Sequence, residues 1–152
     1  MTATNHAITG ALIGLLVGQP AVAIPAALVS HFVCDAIPHY GNPDPKTLWS
    51  SGFKRYLVLD ASLCGLLVGF LALYQPKHWI LAALCAFIAT SPDFYWLRKF
   101  IYANKHHRPA PMNKLDSLLG SEGIQWFQRP IGAVVEIAWV IGGLTLLSSI
   151  VK

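Results

Sequence analysis

Apolar residues run almost unbroken through five stretches of this chain, roughly 3–19, 20–39, 54–75, 78–101 and 130–150. A helix needs about 20 predominantly apolar residues to cross a bilayer. The pattern therefore predicts an all-α integral membrane protein with about five transmembrane helices. Gln19-Pro20 gives a tight turn between the first two runs, and Pro25 falls early enough in the second helix to be tolerated. Gly41-Asn42-Pro43-Asp44-Pro45 reads as a breaker-rich loop, and Gln75-Pro76-Lys77 turns the third run into the fourth. Residues 102–129 form the longest polar segment. A short interfacial helix is expected there over Leu115–Leu119, with Trp126 and Phe127 as an interfacial anchor.

Composition agrees with a membrane setting. Of 152 residues, 55% are hydrophobic and only 12% charged, with a mean hydropathy of +0.52, where a soluble domain carries about 25% charged residues. The formal charge of +4 is small and its basic residues fall in loops, so nucleic acid is not an expected partner. Cys34, Cys64 and Cys85 lie inside apolar runs without metal-like spacing and read as packed thiols. Ala21-Val22-Ala23 has the look of a signal-peptide cleavage site, but no Lys or Arg precedes the first apolar run, so that run is expected to stay as a helix.

With five crossings, Lys46, Lys54, Arg55, Arg98, Lys99, Lys105, Arg108, Lys114 and Arg129 share one side, against Lys77 and Lys152 on the other. This bias predicts a plasma (inner) membrane protein with its N-terminus cytoplasmic and its C-terminus outside. The prediction fails if one run does not cross.

Against this apolar background the ionisable residues carry the chemistry. In Val29–Tyr40, His31 and Asp35 are four apart and share a helix face, with His39 a turn further on, past Pro38. An imidazole or carboxylate in lipid is costly unless paired, hydrated or bound to metal. His6 opens the first helix, Asp60 lies one or two turns into the third, Asp93 about two turns before the end of the fourth, and Glu136 two turns into the fifth. Every acidic residue within an apolar run thus falls in the cytoplasmic half of the bilayer. A faint repeat is also visible. His6 precedes Pro38 by the same 32 residues that separate Asp60 from Pro92. Two parallel helical-hairpin repeats, 3–40 and 54–101, would bring His6, His39, Asp60 and Asp93 together.

Singly, each residue has a bland explanation. His6 is solvated, Asp60 serves its own helix N-terminus or pairs with Lys54 or Arg55, Asp93 caps a kink, and Glu136 snorkels. Asp44, Asp116 and Glu122 are loop charges, and His106 and His107 are loop histidines near anionic headgroups. Together the residues form a metal-ligand set. His6, His31, Asp35, His39, Asp60 and Asp93 are the candidate ligands for a divalent metal, zinc ahead of manganese or iron, as one or two ions. Asp93 and Glu136 are candidate catalytic residues, Glu136 as a ligand or as general base for a bound water. Arg98, Lys99, Arg108 and the histidine pair are placed to hold an anionic headgroup.

Asn5-His6 and Ser30-His31-Phe32-Val33-Cys34-Asp35 resemble two signatures of the LexA-regulated, membrane-bound metal-dependent hydrolases: a histidine close to the N-terminus and a Ser-His-x-x-x-Asp segment on a membrane helix. The resemblance implies metal-site roles for His6, His31 and Asp35. Pro92-Asp93 is similar to the start of that family's Pro-Asp-x-Asp-His segment, with Phe94-Tyr95-Trp96 in place of the second acid and histidine. His107-Arg108 is similar to its His-Arg segment, without the Thr-His-Ser that follows there, and the order of segments differs.

The expected function is a membrane-embedded, metal-dependent hydrolase. Its substrate would be a phosphate or acyl ester of a phospholipid or lipid-linked molecule at the cytoplasmic leaflet. The alternative is a divalent-metal or proton-coupled transporter built on the same cluster, which would need a homodimer and a polar route through the outer half. A third reading, in which the polar residues only pair helices, predicts no bound metal.

Overall fold

The computed structural model describes residues 1–41, 48–111, 126 and 128–151. Among them are six α-helices and no strand: α1 Ala3–Val17, α2 Pro20–Asp35, α3 Ser51–Tyr74, α4 Trp79–Thr90, α5 Tyr95–His106 and α6 Ile131–Val151. A 3-10 turn, Ser91–Phe94, joins α4 to α5. Most of the breaker-rich loop, the helix expected over Leu115–Leu119, the charges Asp44, Asp116 and Glu122, and Phe127 lie outside the described residues.

The helix ends follow local chemistry. Thr2 caps α1 by accepting the Asn5 N–H at 3.2 Å. Gly18 closes it at φ 65°, in the left-handed region where a side chain is strained. Pro20 starts α2, where its missing N–H goes unneeded. That helix stops at Asp35, four residues short of the apolar run, because Pro38 cannot continue it and disfavours helical backbone in the residue before. His39 therefore leaves the helix. Its N–H donates to the Trp126 carbonyl at 2.9 Å and its carbonyl accepts from Gln128 N–H at 3.0 Å, while Trp126 N–H donates to the Asp35 carbonyl at 3.1 Å.

The run 78–101, expected as one helix, breaks at Pro92. The chain passes through the 3-10 turn and its two helical parts meet at 42°. Beyond the break α5 continues to His106, with Lys105 and His106 in its last turn, where cations suit the helix dipole.

By length and hydropathy, α3 (24 residues) and α6 (21 residues) can cross a membrane, and the bent α4–α5 pair passes as a third span. The remaining two, α1 and α2, have 15 and 16 residues. At 1.5 Å per residue that is roughly 22–24 Å, short of the ~30 Å hydrocarbon layer. The pattern predicts five full crossings; the structure supports two or three, with two shorter apolar helices beside them.

The shorter α1 sits at the centre, packed on α2, α3, α4 and α6. Gly10 and Gly14 recur one turn apart on the face that carries His6. A Cβ at Gly10 would fall on the Cys85 carbonyl, and one at Gly14 on the Ala82 backbone. Ala82, Cys85, Ala86 and Ala89 of α4 complete this small-residue seam. Close backbone approach replaces the hydrophobic drive that lipid does not supply between helices. The neighbouring face of α1 meets α6, where Trp139 Nε1–H donates to Thr9 Oγ1 at 2.9 Å and Ile8 packs on Gly143. Large apolar side chains point outward instead, Leu73 being 78% exposed, as a lipid-facing surface requires.

Candidate metal centre

Three elements converge: the first turn or so of α1, with His6; the last turns of α2, with His31 and Asp35; and the 3-10 turn, with Asp93. His6, His31 and Asp93 each offer a ligand atom within 4.8 Å of one another. Asp35 stands between the imidazoles, its Oδ1 3.2 Å from His6 Nε2 and its Oδ2 3.4 Å from His31 Nε2. Asp93 Oδ1 lies 3.9 Å from His31 Nε2. Ligand atoms held tetrahedrally at about 2.1 Å from an ion are about 3.4 Å apart, so these separations are close to those of a coordination shell.

The hydrogen bonding gives the same picture. His31 Nδ1 donates to the Ala89 carbonyl at 2.8 Å. This fixes the tautomer and leaves Nε2 with its lone pair facing the carboxylates, the arrangement that orients a metal-bound histidine. The His6 ring is fully buried, and neither of its nitrogens makes a hydrogen bond of good geometry. Its ring stacks on His31 with centroids 4.1 Å apart, so charging both rings together would be unfavourable. Two imidazoles and two carboxylates gather here, and the carboxylate of Asp35 lies within reach of both rings. The N-terminal ammonium of Met1 also donates to Asp35 Oδ1, the oxygen that faces His6 Nε2.

The other predicted site residues have different partners. Asp60 accepts the Ala3 N–H at 2.8 Å, the Thr4 N–H at 2.9 Å and the Thr4 hydroxyl. Glu136 Oε1 accepts the Thr2 N–H at 3.1 Å. With Thr2 Oγ1 on the Asn5 N–H, each of the first four orphan donors of α1 has an acceptor. These carboxylates anchor the N-terminus of α1, and neither is in the group formed by His6, His31, Asp35 and Asp93. The partner of Asp60 is α1, where the bland reading gave it α3 itself. His39 is buried, and its Nδ1 donates to the Ile37 carbonyl at 2.9 Å. Burial holds this imidazole below the ordinary histidine range, as a neutral ring.

Several contributors escape sequence reasoning. The Ala89 carbonyl is backbone and leaves no residue-type signal. Thr4 looks like any small polar residue, although Thr2 three positions before Asn5 is a readable cap pattern. Among the basic residues expected to hold a headgroup, Arg98 donates to the Pro111 carbonyl at 3.5 Å and the Arg108 guanidinium lies 5.9 Å from the Tyr102 ring centre. No family model, curated protein or solved structure matches the chain, so a functional reading has to start from this geometry.

Proposed function

We propose that the chain is a membrane-embedded, divalent-metal-dependent hydrolase acting on a phosphate or acyl ester of a lipid or lipid-linked substrate. The supporting observation is the convergence of His6, His31 and Asp93, whose ligand atoms lie within 4.8 Å of one another, with Asp35 beside both imidazoles. The Met1 ammonium already offsets part of the charge of Asp35 and Asp93, so a single ion, with zinc favoured by the imidazole share, fits better than two. Bound there, such an ion would supply Lewis acidity and lower the pKa of a water. The chain's own part is orientation. Ala89 sets the His31 tautomer, and Asp35 bridges both rings. Asp93, half-buried on the 3-10 turn, is the most accessible of the four and the best placed to meet substrate or exchange a proton.

The resemblance of His6 and Ser30–Asp35 to the metal-dependent hydrolases supports the same reading, as do the membrane-length helices. The remainder of α1 packs through Ala7, Ala11 and Leu15 against Leu71, Ala82 and Ala86. That apolar packing favours a one-sided pocket over a transport path. Opening toward the cytoplasmic leaflet, with the N-terminus cytoplasmic, is part of this proposal; the charge bias behind it keeps its sign when neither α1 nor α2 crosses, because the two then return the chain to the side on which it starts.

Elemental analysis of purified protein, paired with phosphatase and esterase assays, tests the proposal. Wild type should hold about one zinc, manganese or iron per chain, and Asp35→Asn and His31→Ala should lose both metal and turnover. Wild type without stoichiometric metal, or His31→Ala with unchanged turnover, would end it.

A further inference from the structure

A second feature lies on the neighbouring face of α1. The two long helices α3 and α6 both pack on α1, and a groove of about 260 Å³ is bounded by all three. Its walls are Tyr56, Leu59 and Leu63 of α3 and Ile137, Val140 and Ile141 of α6. Leu59, Ile137 and Ile141 are each about 60% exposed, so the groove is open sideways, where a bilayer presents acyl chains. Both walls belong to helices long enough to span that bilayer.

At its inner end lie Thr2, Thr4, Asn5, Asp60 and Glu136, whose polar atoms are almost wholly covered. Asp60 and Glu136 take the α1 N–H groups described above. Asn5 is fully buried, its Nδ2 donating to the Glu136 carbonyl at 3.4 Å. That bond fixes the amide orientation and leaves Asn5 Oδ1 buried with no donor. A buried acceptor of this kind calls for one. Two carboxylates beside it disfavour a phosphate or any other anion.

We infer that the groove between α3 and α6 holds the alkyl chain of a membrane lipid whose polar end directs a hydroxyl or ammonium hydrogen at Asn5 Oδ1. The inference goes beyond the metal centre and uses none of its ligands.

The full chain is reconstituted in phosphatidylcholine vesicles with one of three probes of equal length, each bearing a mid-chain diazirine: a long-chain alcohol, the matching amine, or the methyl ether of the alcohol. Photolabelled positions are mapped by peptide mass spectrometry. The alcohol, the amine or both should label residues 59–63 and 137–141 about three- to tenfold more than the ether, the worth of one net hydrogen bond. Which donor wins identifies the headgroup class. Leu63→Trp, which fills the groove, should abolish this labelling with metal content unchanged, and Asn5→Leu should level alcohol and amine with the ether. Equal labelling by the ether, or label spread evenly onto Leu73 and Leu146, would overturn the inference. Either result would leave the metal measurement standing.

Discussion

Replacing Asp60 with leucine separates an anchoring carboxylate from a metal-binding one. In the structure Asp60 is buried and accepts two backbone N–H groups, from Ala3 and Thr4, together with the Thr4 hydroxyl. The hydroxyl can rotate to another acceptor, but the two N–H groups cannot. Each buried donor left without a partner costs about 1–3 kcal/mol, which gives a loss of about 2–6 kcal/mol. Relief of one buried charge and the added apolar surface of leucine offset part of this, so we expect about 3 kcal/mol, a change of more than about 100-fold in the folding equilibrium. Asp60→Asn keeps one acceptor oxygen and should lose about half as much. Unfolding in mixed micelles, titrated with SDS and followed through Trp139, whose indole N–H is bonded to Thr9 of α1, reads the effect directly. His6 lies in the same helix, so bound metal should weaken yet be recoverable at higher metal concentration. Stability within about 0.5 kcal/mol of wild type would refute the anchoring role. If metal were then lost outright, Asp60 would be a ligand.

Three further outcomes follow from the same geometry. Glu136→Gln retains a carbonyl to accept the Thr2 N–H, so stability and metal content should be kept; a loss of turnover alone would make Glu136 the general base. Gly10→Leu should destabilise the bundle by at least 1–3 kcal/mol, as overpacking does, because its Cβ would meet the Cys85 carbonyl; wild-type stability in SDS titration would contradict the close α1–α4 seam. Lowering the pH protonates the imidazoles that a metal needs neutral. Bound metal should therefore fall as the pH is lowered, and full retention under acid strong enough to protonate both imidazoles would exclude histidine ligation.

The pattern of apolar runs bounded by Pro and Gly located α1, α2, α3, α4 and α6, since a helix that can sit in lipid must be apolar along its length. It overextended α2 to His39 and fused α4 with α5, because run length ignores what Pro38 and Pro92 do to the backbone. It also counted five crossings, since hydropathy reports apolar content and α1 and α2 fall short in length. The pairing of His31 with Asp35 was legible from helical spacing alone. The approach of His6 and Asp93 to that pair was expected from their common depth, and depth is a layer, not a place. Asp60 and Glu136 occupy the same layer but face the α1 backbone, a distinction that requires knowing which helix lies between which.

The division of the carboxylates has a physical reason in the shortness of α1. A helix that reaches both bilayer surfaces can leave its terminal N–H groups to water, but a helix buried at its start must find acceptors inside the protein. Thr2 serves one donor of α1, and the flanking long helices serve the rest, Asp60 from α3 taking two and Glu136 from α6 one. Only at His6, whose N–H donates to the Thr2 carbonyl at 3.2 Å, does α1 begin to satisfy itself. His6 is thus the first residue whose backbone is held by the helix's own ladder, and its ring turns to the face shared with Gly10 and Gly14, toward α2 and α4. Anchors and candidate ligands therefore meet one helix on adjacent faces. If the proposed metal binds, a change at Asp60 would reach it by moving α1, whereas a change at Asp35 or Asp93 would reach it directly, and the two kinds of substitution should differ in whether added metal restores binding.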